Sequence, residues 1–143
     1  MTPYATRHIP KESLVLFEKI KTAIIAMKDP DLGWNEDGNR ITLSCHMLAR
    51  AVAAVFGLRV CDGYFSNELY DHSWVLTPQG QIIDTYPIGT IGGPIMLSND
   101  RYSPCSRLYK KLSARKLSRR RFSEPSFRRS VRRIIKSLKE TTR

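Results

Sequence analysis

The chain has 143 residues, 41% of them apolar, and a formal net charge of +11, which is enough length for one domain with a real core. No apolar run reaches the ~18 residues of a membrane span, and the opening MTPYATRHIPKES lacks the apolar stretch of a secretory signal. Three cysteines cannot all pair with one another, so free thiols in a reducing, cytoplasmic compartment are expected.

Residues 1–10 read as an irregular lead-in with His8 exposed. From Lys11 to Lys28 the apolar positions Leu14, Phe17, Ile20, Ile24 and Met27 follow helical spacing. Asp29-Pro30-Asp31-Leu32-Gly33 ends that helix, and Trp34 to Leu43 is polar enough to be a loop. A second helix is expected over 45–57. Ser44 is its N-cap, because the hydroxyl can accept from an orphan amide of the first turn, and Gly57 is its stop. Cys45 is then its first residue. Leu48, Ala49, Val52, Val55 and Phe56 make its buried face, and small neighbours allow close packing.

Strands are expected over 58–65, 70–77 and 81–86. Thr77-Pro78-Gln79-Gly80 suits a type I turn closed by a left-handed glycine, so the last two strands form a hairpin. With Thr77 opposite Gln81, Trp74 faces Asp84 and His72 lies diagonal to it on the same face. A register one pairing step away puts His72 directly opposite Asp84. Either way the imidazole and the carboxylate are within reach. The glycine-rich stretch from Ile88 to Pro94 is not a phosphate-binding loop, since no Lys-Ser/Thr follows the glycines. Residues 95–104 suit a short strand and a turn.

The charge is carried by the end of the chain. Residues 106–143 hold 15 Lys/Arg and two Glu (+13), whereas residues 1–105 hold nine Lys/Arg and 11 Asp/Glu (−2). The chain therefore divides into a core over 1–105 and a basic helical extension over 106–143. A frayed helix is expected over 106–121, a break at Ser123-Glu124-Pro125, and an amphipathic helix from Ser126. That helix carries Phe127, Val131, Ile134, Ile135 and Leu138 on one face, and packing of this stripe on the core is the expected outcome. Arg119, Arg120, Arg121, Arg128, Arg129, Arg132 and Arg133 are candidates for contact with a polyanion: nucleic acid, an anionic membrane or an acidic protein. The tail's aromatics are too few for dedicated base stacking.

Cys45, His72 and Asp84 are the residues with catalytic potential. A thiol is a nucleophile as thiolate, and a helix N-terminus together with an imidazolium lowers its pKa. Asp84 would fix the tautomer and orientation of His72. The Cys45 amide is one candidate oxyanion donor and Asn39 a second. Trp74 would shield the His–Asp pair from water. His46, next to the nucleophile, should point elsewhere and serve a structural or substrate-contact role. Cys61 and Cys105 are expected to be buried or incidental.

The ordered set Cys45, Leu48-Ala49, Gly57-Leu58-Arg59-Val60, Gly63-Tyr64, His72-Ser73-Trp74-Val75 and Ile83-Asp84-Thr85-Tyr86-Pro87 resembles the transglutaminase-like superfamily of the papain-like fold, in its small bacterial members. The resemblance covers roughly residues 34–90. It implies an α+β fold in which a catalytic helix packs on a small antiparallel sheet. It also implies a Cys45–His72–Asp84 site without a cofactor, and a peptide or protein substrate. The expected activity is that of a thiol hydrolase or acyltransferase acting on a peptide or side-chain amide. The short chain and the basic tail depart from the family pattern. The alternative is a catalytically inactive member whose tail docks on a polyanion. A zinc site from Cys45, His46, His72 and Asp84 is disfavoured: adjacent Cys and His on one helix project ~100° apart, and no metal-ligand spacing is present.

Overall fold

The computed structural model describes residues 9–67, 70–86, 93–98, 104–111 and 120–142. His8, the stretch 87–92 with Gly89 and Gly92, residues 112–119 with Arg119, and the side chains of Cys105 and Arg120 lie outside the described residues.

Among the described residues the fold is α+β, with three α-helices and a five-stranded antiparallel sheet. Helix α1 (Lys11–Ala26) buries Phe17, Ile20 and Ala23, one turn apart in succession. Helix α2 (Cys45–Phe56) begins where Ser44 Oγ accepts from the Met47 amide at 3.3 Å. It ends at Gly57, whose φ of 68° is the left-handed value that favours glycine. Met47, Leu48, Ala49, Ala51, Val52 and Ala53 are all buried, so α2 is apolar around most of its circumference. Such a helix must be enclosed, and α2 runs between the sheet and α3.

Strands β1 (Arg59–Phe65), β2 (Asp71–Leu76), β3 (Ile82–Asp84), β4 (Ile95–Leu97) and β5 (Tyr109–Lys111) lie in the order β4-β3-β2-β1-β5. The β2–β3 turn closes as expected, with the Thr77 amide donating to the Gln81 carbonyl at 3.0 Å and Gly80 at φ 88°. The ladder pairs Val75 with Ile83 and Leu76 with Ile82, which is the register with Trp74 facing Asp84.

The sheet's pleat sorts two cores. Val75, Ile83 and Met96 join α1, α2 and α3 in the main one, while Cys61, Trp74 and Ile82 form a smaller one with Tyr109 packed against it.

Two expectations for the end of the chain need correction. Residues 106–121 are not one frayed helix: a 3-10 turn over Pro104–Leu108 leads into β5, which pairs with β1. Nor does the structure break at 105/106. Helix α3 (Pro125–Thr141) places Ile134 and Leu138 in the main core with no exposed surface, and Phe127, Val131 and Ile135 pack against it. The amphipathic stripe packs, as its spacing predicts. Glu36 caps the start of α3 by accepting from the Ser126 amide at 2.9 Å and from the Ser126 hydroxyl. These bonds to Ser126 hold the Glu36 carboxyl below its ordinary range.

Candidate active site

Cys45 opens α2, where the first amides of the helix have no intrahelical acceptor. His72 and Trp74 point to one face of β2, and Asp84 ends β3. His72 Nε2 lies 2.8 Å from Asp84 Oδ2, and both side chains are essentially without solvent exposure. The carboxylate is fully engaged. Its Oδ2 also accepts from the Tyr109 hydroxyl at 2.7 Å, and Oδ1 accepts from the Tyr86 amide at 3.1 Å. A buried carboxylate needs such partners. Trp74, 2% exposed, stacks on the imidazole with ring centroids 6.2 Å apart and planes inclined by 28°. Phe65 and Tyr109 close the other sides of the ring.

With Nε2 committed to Asp84, Nδ1 is the nitrogen left for the thiol. It is buried and has no hydrogen-bond partner of ordinary geometry; Cys45 acts on the ring as a looser sulfur contact. Catalytic hydrogen bonds are often long before substrate arrives. Burial alone would raise the Cys45 pKa, but the imidazoles of His46 and His72 and their charges outweigh it, and the thiol falls to about 6. Burial alone would lower the His72 pKa. The Asp84 hydrogen bond, the Cys45 contact and the charge of both reverse that, and the imidazole rises to about 9. Between these values the stable state is thiolate beside imidazolium. Cys61 shows the contrast: burial dominates and its thiol is pushed up.

His46 turns to the Ser73 hydroxyl, in the structural role expected of it, while its imidazole still favours the Cys45 thiolate. It is held by a polar chain on the opposite face of β2 from His72. His46 Nδ1 lies 2.6 Å from Ser73 Oγ, which donates to Asp62 Oδ1 at 2.6 Å. Since the hydroxyl proton is spent on Asp62, Nδ1 carries the proton of the His46–Ser73 bond. Arg50 grips Asp62 bidentately at 3.0 and 2.9 Å and also donates to the His46 carbonyl at 3.1 Å. The segment 120–123 folds over this side. Phe122 stacks near His46 (5.2 Å) and lies under the Arg50 guanidinium (4.0 Å), and Arg121 donates to Asp71 and approaches His46 Nε2 at 3.4 Å.

The structure therefore brings together Cys45, His72, Asp84 and Trp74. It does not bring Asn39 to them: its side chain is exposed, and its amide donates to Asn35 Oδ1 in the turn closed by the Trp34–Arg40 bridge. The polyanion candidates also divide. Arg129 donates to the Trp34 carbonyl at 2.8 Å and Arg133 to the Asp31 carbonyl at 2.9 Å, so both clamp the loop before the nucleophile. Arg121 is paired with Asp71. Arg128 and Arg132 face outward with Lys136 and Lys139. Tyr109, Ser73 and Asp62 carry no signal of a functional site in the sequence, and His46 only that of a structural or substrate-contact residue. Only the alternation of β2, which sends Ser73 to the face opposite His72, could have pointed to one of them.

Among the described residues no group of three or more His, Cys, Asp or Glu is arranged to hold a metal ion, and no helix is long and apolar enough to cross a membrane. Comparison with family models, curated proteins and solved structures returns no match.

Proposed function

We propose that the chain is a thiol-dependent hydrolase or acyltransferase acting on a peptide or side-chain amide, of the transglutaminase-like, papain-like kind. The observation that carries the proposal is the placement of one free thiol at a helix N-terminus against an imidazole whose far nitrogen is locked by a buried, fully engaged carboxylate. The Cys45 thiolate attacks the amide carbonyl carbon, and the carbonyl oxygen takes the negative charge beside the Cys45 amide. As the tetrahedral species collapses, the C–N bond breaks and His72 gives its Nδ1 proton to the leaving amine. Water or an amine then attacks the thioester carbonyl and gives a proton to His72 Nδ1, and the C–S bond breaks to release the acyl product and regenerate the Cys45 thiolate. Asp84 keeps Nε2–H in place throughout and stabilises the imidazolium. A thiolate of this kind needs a reducing compartment, which favours the cytosol.

Iodoacetamide alkylation followed by mass spectrometry from about pH 5 to about pH 10 tests this proposal. Cys45 should react with a midpoint near 6 and Cys61 only at higher pH. A common midpoint for the two thiols would overturn it. Cys45→Ala should abolish amide turnover.

A second role has its own support: the outward row Arg128, Arg132, Lys136 and Lys139 on α3 suits a polyanion. Binding through it should weaken steeply with salt.

A further inference from the structure

A pocket of about 210 Å³ is lined by close sequence neighbours of Cys45 and Asp84. Leu43 and Leu48 line it: Leu43 lies two residues before Cys45, ahead of the helix, and Leu48 lies three residues after it, on the Cys45 side of α2. Ile24 in the last turn of α1, Met27 just past its end and Asp29 also line it. Thr85, the residue following Asp84, also lines it. Thr85 is 2% exposed, and its hydroxyl has no hydrogen-bond partner. Buried hydroxyls are ordinarily paired, so this orphan marks a position where a bound molecule supplies the partner. The volume sets the size of that molecule. An apolar cavity of about 150 Å³ admits benzene, so this one holds a single ring with a substituent. The Asp29 carboxylate disfavours an acidic occupant.

We propose that the pocket receives an aromatic side chain of the residue that contributes the attacked carbonyl, with the ring against Leu43 and Leu48 and a hydroxyl on Thr85: a tyrosine-like acyl donor. The proposal rests on Cys45 being the nucleophile and adds the substrate class. Chloromethyl ketones separate the two claims, because the thiolate forms a C–S bond to the methylene carbon and expels chloride whatever side chain is attached.

The experiment compares the N-acetyl tyrosyl, phenylalanyl and glycyl chloromethyl ketones on the full chain, reading modification of Cys45 by mass spectrometry. Each rate is divided by the iodoacetamide rate of the same variant and by the reagent's rate with free cysteine. Phenylalanyl should exceed glycyl by at least ~10-fold, and tyrosyl should exceed phenylalanyl by ~3–10-fold. Thr85→Val should erase the tyrosyl advantage alone. Met27→Trp, which enlarges a lining side chain and fills the pocket, should erase the phenylalanyl advantage as well. Equal normalised rates for the three ketones, or preferences that survive Met27→Trp, would overturn the subsite. A Cys45 that ignores iodoacetamide below about pH 7 would instead overturn the nucleophile itself.

Discussion

His72 and His46 both act on the Cys45 thiol, but they stand in opposite surroundings. His72 lies in a dry aromatic box of Trp74, Phe65 and Tyr109, with Asp84 on its Nε2. His46 lies on a polar chain through Ser73, Asp62 and Arg50, roofed by Phe122 and Arg121 from the end of the chain. The difference separates two tasks. Either imidazole can favour the thiolate. Only His72 has a carboxylate behind it and an unengaged buried nitrogen in front, which a proton carrier needs.

The largest effect should come from His72→Ala. Amide turnover should fall ~10²–10⁴-fold, and the alkylation midpoint of Cys45 should move up toward the ordinary ~8.5 of a thiol. In the unaltered protein the two pH profiles should differ. Alkylation requires only the thiolate, so it should rise once, near 6. Amide turnover also requires the imidazolium proton, so it should rise near 6 and fall again as His72 deprotonates near 9. A turnover profile without the alkaline fall would remove His72 as the acid.

Next in size is Gly63→Ala, which attacks the scaffold of the His72 side. Gly63 pairs with His72 on one edge and with Lys111 on the other. A Cβ there would stand 1.9 Å from the Lys110 carbonyl oxygen, a backbone atom that cannot turn aside. Strand β5 must shift and take Tyr109 with it. Chemical denaturation should show a loss of ~2–4 kcal/mol, in the range of severe strain. A cost under ~0.5 kcal/mol would mean that β5 is not held against β1 as described.

His46→Gln tests the other half of the comparison. The His46 side chain is the strongest influence lowering the thiol pKa, so the alkylation midpoint should rise at least as far as in His72→Ala. Turnover measured near pH 8, where much of the thiolate is recovered, should fall by no more than ~10-fold, because the proton carrier is intact. Equal losses of turnover in the two variants would make the imidazoles interchangeable and erase the distinction.

What could be read from the sequence was what short-range signals control. Ser44 and Gly57 bracket α2, and Thr77 to Gly80 determine the β2–β3 register that puts His72 beside Asp84. Long-range placement was not legible. Tyr-Lys-Lys has no apolar alternation, so nothing local marks Tyr109–Lys111 as an edge strand held by backbone pairing. Arg129 and Arg133 look like part of a polyanion footprint, yet they are spent on carbonyls of a loop about a hundred residues away. Charge runs record composition and not the acceptors that the fold will supply. The helix position of His46 turns it from the nucleophile, but nothing local announces the Ser73 hydroxyl it meets on the strand beneath.

The smallest effect in this series, and the finest test of the His72 side, is Tyr109→Phe. The phenol contributes one of two hydrogen bonds on Asp84 Oδ2, the other being His72 Nε2. Its loss leaves the carboxylate with the imidazole and the Tyr86 amide, so Asp84 remains satisfied at each oxygen. The expected cost is therefore that of one hydrogen bond, ~1 kcal/mol, and a turnover loss of ~3–10-fold. The direction of the His72 titration discriminates between two roles for the phenol. If Tyr109 competes with His72 for the same oxygen, its removal strengthens the remaining bond to the imidazolium, and the alkaline limb of the profile moves up. If Tyr109 chiefly holds Asp84 in place, the carboxylate loosens and the limb moves down. The engagement of Oδ1 by the Tyr86 amide already anchors the carboxylate without the phenol, so the upward shift is expected.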